Sequence, residues 1–196
     1  MRSIVLAAAA FASLCVCGAP KYSCSLSVSS RPGESSVSGK RNNGLLMSSA
    51  LSNTGSKTYK RSLRWLVQVR VRGDRPEKAH LKVFHLAYDN ANNLKLLKDE
   101  LHAIELDSNN RAEVDVVSPT TRYTKTRTRS TRSSGGFSST RTVTRGERIA
   151  GCVVQFFVDG KLVKSWSSDP RWEKAARKEG FSVGELQRGS GRLGGK

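Results

Sequence analysis

The chain has 196 residues, a formal net charge of +18 and 37% hydrophobic residues. That length sets the expectation of one ordinary domain with flexible ends rather than two full domains, and the apolar content is enough for a core, against wholesale disorder. The excess of Lys and Arg points to polyanionic partners, whether nucleic acid, anionic lipid head groups or acidic polysaccharide, and says nothing about the fold.

Residues 1–18 have a signal-peptide layout: Met1-Arg2, an apolar run from Ile4 to Ala12, then small residues up to Gly18. The run is well short of the roughly 20 apolar residues of a spanning helix, so the expectation is export to the periplasm or the exterior, with no transmembrane segment in the mature chain. Cleavage is expected after Gly18 or after Ala12. Leu14 before Cys15 and Val16 before Cys17 are too large for a lipoprotein signal. After cleavage at Gly18 only Cys24 and Cys152 remain, which permits one disulfide. Cys24 lies among serines and Cys152 opens an apolar strand, a contrast that favours a mobile Cys24 and a buried free thiol at Cys152.

Residues 19–57 read as a flexible Ser/Gly-rich leader or linker with room for one added strand, order being suggested only around Gly44-Leu45-Leu46-Met47. Residues 58–168 read as a β domain. From Tyr59 to Arg72 apolar and basic residues alternate with a period of two, the pattern of a strand with one buried face. Gly73-Asp74-Arg75-Pro76 ends it. In Ala79 to Tyr88 the apolar phase shifts, which calls for a bulge or for cover on both faces. The stretch around Leu94 to Leu101 fits a short strand or turn. Ile104 and Leu106, then Ala112, Val114 and Val116, flank Asp107-Ser108-Asn109-Asn110 and predict a hairpin.

Residues 121–148 form an Arg-rich insertion carrying Arg122, Lys125, Arg127, Arg129, Arg132, Arg141, Arg145 and Arg148 about Gly135-Gly136. Thr favours strands and Gly-Gly favours a reversal, so a protruding basic hairpin is predicted, with a disordered loop as the alternative. Cys152 to Val158, Asp159-Gly160 and Lys161 to Trp166 make the clearest hairpin, with Val154, Phe156, Val158 and Val163 on one core face. Asp169 as cap, Pro170 and Gly180 frame a short helix over 169–180, and 181–196 reads as a flexible basic tail. Short strands without alternating helices predict a mainly β, antiparallel two-sheet sandwich of immunoglobulin-like or fibronectin-like type with one short C-terminal helix.

Motifs for chemistry are sparse. Gly189-Ser190-Gly191-Arg192-Leu193-Gly194 spells a dinucleotide fingerprint but has no room for the helix that must follow. His80 and His85 have opposite strand parity, and with His102 they show no metal-ligand spacing. No G-x-S-x-G elbow is present, and neighbouring Asp99 and Glu100 diverge in a strand. Arg72-Gly73-Asp74 is accounted for by a turn. No catalytic, cofactor or metal residue is therefore nominated. The expectation is an exported, non-enzymatic interaction module that binds an acidic polymer through the eight basic residues of the insertion. The alternatives are an assembly subunit of an envelope or extracellular complex that pairs through sheet edges, and a hydrolase without a familiar motif.

Overall fold

The computed structural model describes residues 22–42, 50–132 and 138–190. The described strands make two antiparallel sheets. One holds β1 (Tyr22–Asn42), β2 (Ala50–Gly73), β5 (Arg111–Val117), β6 (Thr121–Arg132) and β7 (Ser138–Gly146), and the other β3 (Ala79–Tyr88), β4 (Leu94–Ala103), β8 (Arg148–Val158) and β9 (Lys161–Ser167). β1 runs along one side of β2 for its whole length. The other side is shared, β6 pairing with residues 50–61 and β5 with residues 64–70. β7 extends the sheet beyond β6, and the second sheet has the order β4-β3-β8-β9.

The alternation from Tyr59 to Arg72 works as expected over its second half. Trp65, Val67, Val69 and Val71 are buried, while Arg64, Gln68 and Arg70 face water. Leu81, Val83, Val154, Phe156 and Val158 of the second sheet fill the same layer, with Val163 and Trp166 packed beside them. Burying side chains of this size contributes roughly 1.5–3 kcal/mol each, which is why this layer holds the two sheets face to face.

β3 resolves its phase shift in both ways open to it. Its register slips between Leu86 and Ala87 against β8, and both its faces are covered. Leu81 and Val83 enter the layer between the sheets, whereas Phe84 and Leu86 pack outward against Trp172, Ala176 and Leu186. The β8–β9 turn has φ of 49° at Asp159 and 78° at Gly160, the two positive values that a tight Asp-Gly turn requires.

At the C-terminus the Asp169 carboxylate accepts from the Arg171 amide. Pro170–Trp172 form a 3-10 turn that leads into α1 (Glu173–Ala176), shorter than the expected helix. Residues 181–196 are not all tail: α2 (Val183–Ser190) follows, because Leu186 finds an apolar socket on the outer face of the second sheet. Among the described residues no helix is long and apolar enough to cross a membrane.

Two further expectations are corrected. Residues 22–42 are the added strand rather than flexible leader, because Cys24, Leu26 and Val28 alternate with serines and pack on the core edge, opposite Val71, Val69 and Val67 of β2, and residues 50–57 already belong to β2. Cys24 is thus held in β1 and half-buried, and both Cys24 and Cys152 are free thiols. The reversal at Asp107 exists, its carboxylate accepting from the Asn109 and Arg111 amides at 2.8 Å. It makes no hairpin, because Ile104 and Leu106 bury between the sheets and β5 crosses to pair with β2. Residues 1–18 and the Gly44 to Met47 stretch lie outside the described residues.

Candidate functional site

β2 is 24 residues long and β8 only 11. At about 3.3 Å per residue, the twelve residues 50–61 carry the first sheet about 40 Å past the stretch of β2 that pairs with β5. With residues 35–42 of β1, β6 and β7 they form a four-stranded, single-layer arm. Among the arm residues whose burial is described, only Thr121 and Tyr123, at its base, are buried. The predicted hairpin therefore exists, embedded in a sheet. The reversal, expected at Gly135-Gly136, lies outside the described residues.

Register divides the predicted site. Lys125, Arg127 and Arg129 share one parity of β6 and pair with Thr144, Thr142 and Thr140. Arg122 has the other, and Arg141 and Arg145 stand opposite Thr128 and Thr124 on that second face, while the side chain of Arg132, whose backbone pairs with Ala50, lies outside what is described. The arginines thus form two sets on opposite faces, not one track, since side chains alternate along each strand. Arg148 is not in the arm. It opens β8, packs over the Tyr88 ring at 5.8 Å and bonds Asn92.

The first face gains residues that no local pattern in 121–148 could supply. β2 brings Gly55, Lys57, Tyr59 and Arg61 beside β6. Tyr59 and Tyr123 stack with centroids 4.9 Å apart and planes within 11°. The Lys125 Nζ lies 5.8 Å from the first ring and 6.0 Å from the second, and the Arg61 guanidinium 5.7 Å from Tyr59. The pair stands at the base of the arm on the side where the second sheet ends. Gly146 follows from the same crowding: its φ is 105°, and a β-carbon there would collide with the Arg122 carbonyl.

Charge in the arm is one-sided. Residues 35–42, 50–61, 121–132 and 138–146 hold twelve of the chain's 34 Lys and Arg and none of its 16 Asp and Glu. Like charges meet directly across the β2–β6 ladder, Lys57 opposite Lys125 and Lys60 opposite Arg122. Such pairs destabilise a sheet. Ion pairs occur instead in the two-sheet part, as in Arg64–Asp115 at 3.4 Å and Lys178–Glu185 at 2.9 Å.

The histidines separate as strand parity predicts. His80 stacks on Phe157 at 4.8 Å on the outer face. His85 points inward, fully buried, with Glu100 Oε1 3.7 Å from its Nε2. Glu100 also meets His102 at 3.0 Å and Lys98 at 2.8 Å. Burial lowers the pKa of His85, an effect that Glu100 opposes. Glu100 itself is pushed up by burial, yet Lys98, His85 and His102 together hold it below its ordinary value. Among the described residues no group of three or more His, Cys, Asp or Glu is placed to hold a metal ion. Arg72, Gly73 and Asp74 are exposed at the end of β2, where Gly73 takes a φ of 111°.

No family model and no curated protein matches this chain. Two solved structures are similar over part of it. A Northeast Structural Genomics Consortium target is 12% identical, covers 62% of this chain and 84% of its own, and has a TM-score of 0.21. A Bacteroides uniformis β-glucuronidase 2, covalently bound to cyclophellitol-6-carboxylate aziridine, is 14% identical over 69% of this chain and 15% of its own, with a TM-score of 0.19. Likenesses at that level carry no argument.

Proposed function

We propose that the protein is an exported, non-enzymatic interaction module whose sheet arm binds an acidic polymer. The observation that carries this reading is the pairing of Lys57 with Lys125 and of Lys60 with Arg122 in an arm devoid of acidic residues. A single-layer sheet buries little apolar surface, so it has small means to offset repulsion between neighbouring strands. A polyanion laid along the arm supplies the missing negative charge and releases counterions as it binds. The same repulsion opposes stacking of one arm on another copy, so an edge partner of β7 or of the outer side of β1 would itself be acidic. Export rests on the layout of residues 1–18.

The test compares two variants of equal charge. Lys125, Arg127, Arg129, Arg141 and Arg145 are changed to Gln in one, and Arg70, Arg72, Lys161, Lys164 and Lys174 in the other. Binding to heparin is followed across a salt series. The arm variant is expected to lose more affinity and to show a flatter log-log salt slope than the second variant. Equal losses in the two would mean bulk attraction by a +18 protein without a site.

A further inference from the structure

The two faces of the arm differ in relief as well as in residues. On the face of Arg122, Arg141 and Arg145, side chains fill the middle of the sheet, and hydroxyls close across the strands at 3.0 Å between Thr58 and Thr124 and 2.7 Å between Ser130 and Ser139. On the other face Gly39 of β1 and Gly55 of β2 stand diagonally on neighbouring strands. Their missing side chains leave a depression of about 520 Å³, lined by Lys57, Tyr59, Lys125, Arg127 and Thr142.

The fold does not require glycine at position 55. A β-carbon there meets nothing within 4 Å, and no positive φ is involved. Glycine inside a strand weakens it, and apart from bulges and tight bends such glycines recur where a ligand or another backbone approaches closely. Gly39 is similar, a β-carbon there making only ordinary contacts at 3.7 Å with Lys57 and 3.8 Å with Ser56. Two such glycines between a tyrosine wall and three cations make a seat with an apolar end and an anion-binding rim.

We propose that this depression seats one ring of a sulfated or carboxylated polysaccharide, Tyr59 lying against the ring's C–H face and Lys57, Lys125 and Arg127 on its anionic groups. The proposal rests on the reading of the arm as a polyanion-binding element and adds the class of polymer and the face. Its volume falls in the range of about 300–1,000 Å³ usual for small-ligand sites, large enough for a sugar unit. Single-stranded nucleic acid needs successive aromatic platforms for successive bases. Here the two rings are stacked on each other, and Tyr123 is buried. Duplex DNA admits a two-stranded ribbon in a major groove about 12 Å wide, whereas four strands span about 14 Å before side chains are counted. A flat lipid surface has no use for a depression.

Gly55→Leu fills the seat without altering charge or backbone conformation. Titrated with size-defined heparin oligosaccharides, it is expected to bind about tenfold more weakly than the parent, with an unchanged salt slope because the same cations remain. Gly55→Ala is expected to fall between the two. A second measurement needs no variant: amide signals of Gly39, Gly55 and Thr142 in the parent should shift on adding the oligosaccharide, and those of Thr58 and Ser139 should not. Undiminished heparin binding by Gly55→Leu overturns the seat. If the arm charge variant still discriminates in that case, the wider reading of the arm stands. Loss of oligothymidylate binding with heparin binding retained overturns the polysaccharide in favour of nucleic acid. If the arm and body charge variants lose heparin equally, the wider reading fails, and the seat with it.

Discussion

Residues 63–73 and residues 50–61 belong to one strand and are strands for different reasons. The first stretch alternates Leu63, Trp65, Val67, Val69 and Val71 with polar residues and buries that row against a second sheet. The second offers Thr54, Ser56, Lys57, Thr58 and Lys60, has no fully buried side chain among the described residues, and is extended because β6 supplies a ladder on one side and, from Thr54 on, β1 on the other. One half is held by burial and the other mainly by backbone pairing, with the Tyr59–Tyr123 stack and the Thr58–Thr124 hydroxyl bond added to it. The second half is also the half in which like charges face each other. Its stability and the proposed binding of an acidic polymer are therefore linked, since anything that neutralises the arm also steadies it.

The largest expected contrast between the halves is in truncation. Phe156→Ala should lower stability to denaturant by about 3–5 kcal/mol, because the ring lies fully inside the layer between the sheets. Val143→Ala in the arm should cost less than about 1 kcal/mol, the scale of a change away from a core. Similar losses at the two sites would erase the distinction between covered and uncovered sheet.

A smaller effect belongs to the covered half alone. His85 is buried, and its pKa lies below the ordinary 6.5, so in the folded state it resists protonation. The unfolded chain binds that proton first, so stability present above about pH 6.5 is lost as pH falls through the lowered folded value. Glu100, also held below its ordinary value, acts in the same direction at more acid pH. His85→Leu should flatten the first part of that decline in a series of unfolding curves. A slope that persists in the variant would remove His85 as its cause.

The covered half was the more legible in the sequence. The alternation of Tyr59 to Arg72, the Asp159-Gly160 turn and the cap at Asp169 are local signals, and each stands where local chemistry puts it. β1 was legible in part, since Cys24, Leu26 and Val28 do alternate. Its serines hid a strand that needs β2 beside it. The Arg-rich segment announced its charge and its hairpin, but not its face. Parity within β6 separates Arg127 from Arg122. The placement of Arg141 opposite Thr128 depends instead on the length of the turn, and that of Tyr59 beside Tyr123 on a pairing 64 residues apart. Glu100 joins His85 and His102 for the same reason, because β4 had first to be laid along β3.

The link between charge repulsion and binding is tested most directly at Lys57, which faces Lys125 across the ladder and is exposed. Lys57→Glu turns a repulsive pair into an attractive one while removing positive charge from the candidate seat. Hydrogen exchange of amides 54–60 and 124–128, read together with heparin affinity in the same samples, should show slower exchange and weaker binding. Stability and affinity would then move in opposite directions. Faster exchange, or affinity equal to that of the parent, would contradict the account of the arm as a sheet that its anionic ligand completes.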